Sequence, residues 1–347
     1  MQNTIRTLRS RVLSLGTSAA DGKNIVAFSG GVDSSLVAAL VHHAFPRSSQ
    51  ACVGVSSALP AAQLDLARSV ASQIGIPLME VSTTEGSDPD YIANEGQSCF
   101  HCKTHLYSAL EAVAAQAGVE SRCSSGVAVE GGEPSASALE GGGADGSGGI
   151  VEGRRRVVLF NGTNKDDKRD TTRVGLKAAA DFQVASPIDM LTKAEVRAVA
   201  RELGLPNWNH AASPCLRSRL AFGVQATPER LVLVEKAEDA ARKRLDLGVS
   251  HNLRVRAMHG NKALLEVDAG EILDEALRSI EDIRSLILPL GFSEVDVRPF
   301  RSGAVSGGLT TPVAEQQKES EVSTTNLDGV EVCRVHGSAA AARGAGS

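Results

Sequence analysis

The sequence predicts an α/β protein, with a parallel, doubly wound domain over residues 1–205 and a smaller α+β domain over 206–303. Three patterns carry this. The run Ile25-Val26-Ala27-Phe28 is a short apolar strand that enters the turn Ser29-Gly30-Gly31 and leaves it as a helix with Leu36, Val37, Leu40 and Val41 on one stripe. Strand and helix then keep alternating across short links, the mark of a parallel sheet covered on both faces. Further on the period changes to two, in Leu253-Arg254-Val255-Arg256-Ala257, and a strand, a helix and a strand follow.

In order, Ile5, Leu8, Val12 and Leu15 recur at helical spacing and predict a first helix. Pro46 stops the helix after the glycine turn, because the residue before a proline avoids α geometry. Residues 51–56 predict a second buried strand. Leu66, Ala67, Val70, Ala71 and Ile74 predict a helix closed by Gly75 and Pro77, and residues 78–82 a third strand. A helix with Leu106, Leu110, Val113 and Ala117 on its buried stripe opens at Cys99-Phe-His-Cys102-Lys103. Residues 119–155 hold ten of the 34 glycines and almost no large apolar side chain, so they read as a disordered insertion, edged by the solvated charge run Arg154–Arg156. Strand pattern resumes at 157–161 and ends in Gly162-Thr-Asn164-Lys-Asp166-Asp167.

Thr192-Lys-Ala-Glu195 is a capping box for a helix through Val196, Val199, Ala200 and Leu203, stopped by Gly204 and Pro206. Thr227-Pro228 starts a long helix that carries Glu238 and ends before Gly248. Strands at 253–257 and 263–267, one helix through Ile272, Leu273, Leu277, Ile280 and Ile283, and a strand at Val295 and Val297 complete the second domain. From 304 to 347 the composition is that of a disordered tail, and Cys123 and Cys333 read as bystanders.

The chemistry gathers at strand ends. Gly30 and Gly31 let the backbone turn its N–H groups inward at a helix start, which makes a phosphate cradle. Ser29 and Ser34 add hydroxyls, and Asp33 suits a metal ion shared with the phosphates. In a parallel sheet ligands sit at the carboxyl ends of strands. Ser56 there is an adenosine contact or an ordinary turn residue. Gly162 and Asn164 line the same crevice, Asp166 or Asp167 could hold metal, and Arg173 is a phosphate or carboxylate clamp. The pair Cys99 and Cys102 is open to four readings: zinc ligands, iron–sulfur ligands, a redox dithiol or small hydrophobes. His101 between them points away from the thiols. Cys215, in Ser213-Pro-Cys-Leu-Arg217-Ser218-Arg219, lies in a positive field that favours thiolate. Arg254 and Arg256 suit a phosphate, or guard an edge strand against aggregation.

A net charge of −5 argues against bulk binding to nucleic acid or membrane surfaces. No apolar run approaches the ~18 residues that span a bilayer. Six cysteines are too few for a disulfide scaffold and point to a reducing, cytoplasmic setting. Arg6, Arg9 and Arg11 without acids would also suit an organelle transit peptide, but they share a stretch that reads as a folded helix.

Ser29-Gly-Gly-Val-Asp-Ser34 resembles the loop of the PP-loop ATP pyrophosphatases, whose domain is adenine nucleotide alpha hydrolase-like. Within them Cys99-x-x-Cys102-Lys103, Gly162-Thr-Asn-x-Asp-Asp167, Ser213-Pro-Cys-Leu-x-Ser-Arg219, Leu253-Arg-Val-Arg256 and Phe300-Arg-Ser-Gly303 resemble one family, the ATP-dependent sacrificial sulfur transferases called LarE. The resemblance runs in order over residues 5–303 and says nothing of the insertion or the tail. It implies adenylation of a carboxylate on a pyridinium biscarboxylate mononucleotide, then displacement of AMP by sulfur, in nickel-pincer cofactor synthesis. It implies ATP and Mg²⁺ at Ser29–Ser34, and a 4Fe–4S cluster on Cys99, Cys102 and Cys215, as in the three-cysteine members, where single-cysteine members sacrifice the sulfur of the Cys215 position. It further implies substrate contacts at Ser218, Arg219, Glu238, Arg254 and Arg256, a sulfide donor as partner, and a homo-oligomer. Two alternatives share the loop: tRNA-thiolating enzymes and amide ligases of the NAD synthetase type.

Overall fold

The computed structural model of the chain describes residues 1–116, 156–170 and 172–301. The insertion 119–155, the tail from 304, Cys123, Cys333, Arg154, Arg155, Ser302 and Gly303 lie outside them. The first sheet has four parallel strands, β1 (Gly22–Ala27), β2 (Ser49–Val55), β3 (Leu78–Ser82) and β4 (Arg156–Phe160), in the order β3-β2-β1-β4. One face is covered by α1 (Gln2–Leu15), α2 (Val32–Ala44), α3 (Ala61–Ile74) and α8 (Lys193–Glu202), which bury Leu8, Leu36, Val70 and Val199 against Val26 and Phe160. The other is covered by α5 (Ser98–Gln116) and α7 (Gly175–Asp181). The expected α/β class with a parallel sheet is therefore what the chain forms.

The strand order matters for the site. The chain moves outward from β1 to β3, then returns to the opposite side of β1 as β4. The loops that follow β1 and β4 diverge there and leave a crevice at the carboxyl ends of these two strands. Those loops are Ser29–Gly31 and Asn161–Asn164. Two short helices stand between these elements, α4 (Pro89–Ala93) before α5 and α6 (Lys165–Arg169) after β4.

The second sheet holds β5 (Leu253–Met258), β6 (Lys262–Val267) and β7 (Glu294–Pro299), with β5–β6 antiparallel and β6–β7 parallel. The parallel pair requires a crossover, supplied by α10 (Glu271–Arg278) and α11 (Ile280–Ile287). Their core packs on α9 (Pro228–Arg244), but it also takes in Ala58 and Tyr91 from the first half of the chain. In return Trp208 packs on the first core.

Three expectations are corrected. The helix predicted through residues 272–283 is two helices that meet at Ser279, whose backbone leaves helical geometry, so Leu277 is 51% exposed and not on a buried stripe. The buried stripe of α5 is Tyr107, Leu110 and Ala114; Leu106 stands at its edge, close against Gly54. Arg254 and Arg256 are not solvated guards of an edge strand, because β5 is buried on both faces and the two arginines are only 6% and 8% exposed.

Burial of that strand makes Glu266 necessary. Its carboxylate is wholly buried on β6, accepting from Arg256 Nε at 2.8 Å and from Arg298 Nη2 at 2.5 Å. Removing one partner of a buried ion pair leaves the other charge uncompensated. We expect Glu266→Ala to lower the unfolding free energy by about 3–5 kcal/mol in urea titration. A loss under about 1 kcal/mol, the scale of a surface pair, would contradict this account of the second sheet.

Candidate functional site

The glycine turn is shaped from outside. Gly30 takes φ +70°, which a side chain rarely tolerates, and a Cβ there would lie 2.8 Å from Ala67 Cα on α3. Gly162, at the end of β4, backs onto the start of α2, where a Cβ would meet Ser34 N at 2.6 Å. Two buried amides hold the turn's carbonyls. Gln63 Nε2 donates to Ser29 O at 2.6 Å, and Asn207 Nδ2 donates to Gly30 O at 2.7 Å and to Ser35 Oγ at 2.9 Å. Its carbonyls are tied back, while Ser29 N donates to Ser34 Oγ at 3.2 Å and Gly31 N to Ser29 Oγ at 3.3 Å, at the N-terminus of α2. The Ser29 and Ser34 hydroxyls lie 3.1 Å apart, and Ser34 Oγ donates to Gly31 O.

Asp33 points from the first turn of α2 toward the β4 loop. Asn164 Nδ2 donates to Asp33 Oδ1 at 3.2 Å, and Lys193 Nζ pairs with Asp33 Oδ2. Asn164 is also the N-cap of α6, accepting from Asp166 N and Asp167 N. Arg173 pairs with Asp167 at 3.0 Å and with Asp170, and is half exposed. Ser56 donates to Glu85 Oε1 at 2.6 Å. Thus Ser29, Gly30, Gly31, Asp33, Ser34, Gly162 and Asn164 come together, and Arg173 reaches them through Asp167.

The second group is built around the three cysteines. Cys99 and Cys102 lie in the first turn of α5, and Cys215 precedes a short 3₁₀ turn, Leu216–Arg219. Arg217 joins the two segments: Nη2 donates to Cys99 Sγ at 2.7 Å, and Nη1 donates to Asn94 Oδ1 at 2.9 Å. Leu216 N donates to Ala58 O at 2.8 Å, which holds the Cys215 segment beside the end of β2. Burial pushes the Cys102 thiol up to about 12, with Cys215, Glu85 and Cys99 adding and Lys103 opposing. For Lys103 burial disfavours the charge, but Tyr107 and the thiols of Cys102, Cys99 and Cys215 outweigh it and hold the ammonium. His101 does turn away from the thiols, to Asp88 Oδ2 at 3.1 Å.

Among the described residues the three sulfurs do not form a cluster within 4.8 Å of one another. A zinc ion at about 2.3 Å from each thiolate would need them about 3.8 Å apart. The spacing therefore does not match a preformed site for one zinc ion; a cluster that spreads its thiolates over several irons is not bound by that limit.

The third group holds the arginines. Arg219 is almost fully buried and forms a two-point pair with Glu238, Nε–Oε1 at 2.9 Å and Nη2–Oε2 at 3.2 Å. Its Nη1 donates to the carbonyls of Pro214 and Cys215. Arg256 donates to Ser218 O at 2.8 Å as well as to Glu266, and Ser218 Oγ donates to Cys215 O. Arg254 is different: it donates to the carbonyls of Leu253 and Ala212 and has no carboxylate partner among the described residues. Burial, then Arg219, Arg256 and Arg242, push it down to about 10 against the pull of Glu238. Its guanidinium lies over the Phe300 ring at 5.6 Å.

Four residues of the site escaped the sequence reading: Gln63, Lys193, Asn207 and, as a thiol partner, Arg217. Lys193 was visible only as the second residue of a capping box, and a lone Gln or Asn carries no local signal of what it will brace.

No protein-family model matches the chain. Two relatives do. An uncharacterized protein of Synechocystis sp. is 30% identical over 296 residues, 82% of this chain and 92% of that protein. The pyridinium-3,5-bisthiocarboxylic acid mononucleotide synthase of Lactiplantibacillus plantarum is 29% identical over 290 residues, 82% of this chain and 89% of the synthase. With both relatives matched over nearly their whole length, the chain belongs to the family they share, the LarE family.

Proposed function

We propose that the chain is an ATP-dependent sulfur transferase acting on a pyridinium biscarboxylate mononucleotide. A substrate carboxylate oxygen attacks the α-phosphorus of ATP, and the bond to pyrophosphate breaks. A sulfur nucleophile then attacks the acyl carbon of the adenylate, AMP leaves with the carboxylate oxygen, and a thiocarboxylate remains. The observation that carries this reading is the contact of Arg217 with Cys99, which draws the Cys215 segment to Cys99 and Cys102. The name of the Lactiplantibacillus relative, a synthase of a bisthiocarboxylic acid mononucleotide, supports the same substrate class.

The residues divide the work. The N–H groups of the Ser29–Ser34 turn hold the β and γ phosphates, with Lys193 as a nearby cation for the leaving pyrophosphate. Asp33 and Asn164 are the groups that would carry Mg²⁺, one carboxylate and an amide with the phosphates completing the shell. Cys99, Cys102 and Cys215 would hold the iron–sulfur cluster, which supplies an iron that no cysteine ligates and that can carry a sulfide. Arg254, buried and with no acidic partner among the described residues, suits the phosphate of the mononucleotide.

Purified protein incubated with ATP, Mg²⁺, sulfide and pyridinium-3,5-biscarboxylic acid mononucleotide should release pyrophosphate and AMP and yield a product in which one oxygen is exchanged for sulfur. Turnover that depends on added tRNA would instead favour the thiolation alternative. We expect Cys215→Ala to keep ATP–pyrophosphate exchange within a few-fold while thiocarboxylate formation falls at least about a hundredfold. A parallel loss of both would remove Cys215 from the sulfur step. Asn207→Ala should do the reverse of Cys215→Ala, slowing the exchange by about ten- to a hundredfold through a loosened turn, with alkylation of the three thiols unchanged. In metal-free protein at about pH 8, iodoacetamide should modify exposed Cys99 well before Cys102, whose thiol stays protonated up to about 12. Mass spectrometry of the labelled peptides gives the order.

A further inference from the structure

Beside the thiols, but turned from them, three side chains from two segments converge on one point, and a fourth, His105, braces one of them. Asp88 Oδ2 lies 3.1 Å from His101 Nδ1 and 3.0 Å from His105 Nε2. Asp88, Asp90 and His101 each offer a ligand atom within 4.8 Å of the others. The histidines stand four residues apart on α5, so one helix face presents both rings. Ligands about 2.0–2.1 Å from a tetrahedral zinc ion stand about 3.3–3.4 Å from one another, and Asp88 Oδ2 and His101 Nδ1 already lie 3.1 Å apart.

The set is held from behind. Asp88 Oδ1 accepts from Asp90 N at 2.9 Å and from Tyr91 N at 3.4 Å, which fixes the carboxylate as the cap of α4 and leaves Oδ2 free to turn inward. His105 Nδ1 lies 3.0 Å from Thr84 Oγ1, a contact that fixes the ring with Nε2 on Asp88 Oδ2. Such outer partners are what orient the ligands at metal sites. The donor chemistry selects the ion: an imidazole nitrogen beside two carboxylates suits zinc and its neighbours, whereas magnesium and calcium prefer oxygen alone.

We propose that Asp88, Asp90 and His101 bind one divalent transition cation of the zinc class, with His105 as the outer partner of Asp88, at a site separate from the three cysteines. A cation there ties residues 88–90 to the first turns of α5 and so sets the pitch at which that helix presents Cys99 and Cys102.

The test removes the thiols first. In a Cys99→Ser/Cys102→Ser/Cys215→Ser chain freed of metal by chelation, titrated cobalt(II) should bind at one equivalent, with ligand-field absorption and without the charge-transfer bands of thiolate ligands. Zinc should displace it. His101→Ala in that background should weaken binding by more than about a hundredfold, and His105→Ala, which removes the outer partner of Asp88, by about ten- to a hundredfold. Absence of saturable binding, or binding equal in the His101→Ala/His105→Ala double variant, overturns the site. Should the cysteine-free chain not fold, the same histidine variants in the native chain should lose one equivalent of zinc by elemental analysis, and an unchanged content overturns it equally. None of these outcomes depends on the sulfur-transfer reading.

Discussion

The buried pair of Arg219 and Glu238 is the contact on which the cysteine side of the structure depends. Its side chains are 2% and 15% exposed, and the guanidinium is used up: two donors on the carboxylate of α9, one on the carbonyls of Pro214 and Cys215. Glu238 also accepts from Val255 N on β5. One pair thus ties α9, the second sheet and the Cys215 segment together. Such pairs are seldom favourable on balance, since desolvation offsets most of the attraction, and their value lies in admitting a single arrangement. Here that arrangement is the position of one sulfur. The burial required to hold Cys215 comes from the core of α9 and the second sheet, which gives that small sheet its reason to exist.

The glycine-turn side obeys a different constraint, close approach. In the turn the N–H groups of Ser29 and Gly31 rest on the hydroxyls of Ser34 and Ser29. Glycine at 30 and 162 lets α3 and the β4 loop come nearer than any side chain would allow, while Gln63 and Asn207 take the carbonyls. Asn207 lies just beyond the predicted end of the first domain, yet its donor reaches the turn from 177 residues away in sequence. The glycine turn and the cysteine side are therefore braced by neighbouring stretches of one connecting segment.

How much of this was legible follows from the range of each interaction. The β1–turn–α2 unit was plain, because strand, glycine and helix are local events, and the four-strand parallel sheet followed from alternation alone. The capping box at Thr192 was equally visible and equally local. What the sequence could not reveal were side chains whose partners lie far along the chain: Gln63, Lys193 against Asp33, Asn207, and Arg217 against Cys99. The helix break at Ser279 was hidden for another reason. The apolar spacing on either side of it suits one continuous stripe, and only the packing of both halves on the second sheet reveals a turn of backbone there.

Charge separates the arginines by task. Arg219 and Arg256 sit against Glu238 and Glu266, and their donors go to the backbone around Cys215, so they are spent on structure. Arg254 shares their neighbourhood but not their neutralisation; it is depressed by burial and by the cations around it. A buried guanidinium without an acidic partner is costly to maintain in a folded protein unless something anionic completes it. Among the positions read from the sequence as substrate contacts, that reasoning singles out Arg254.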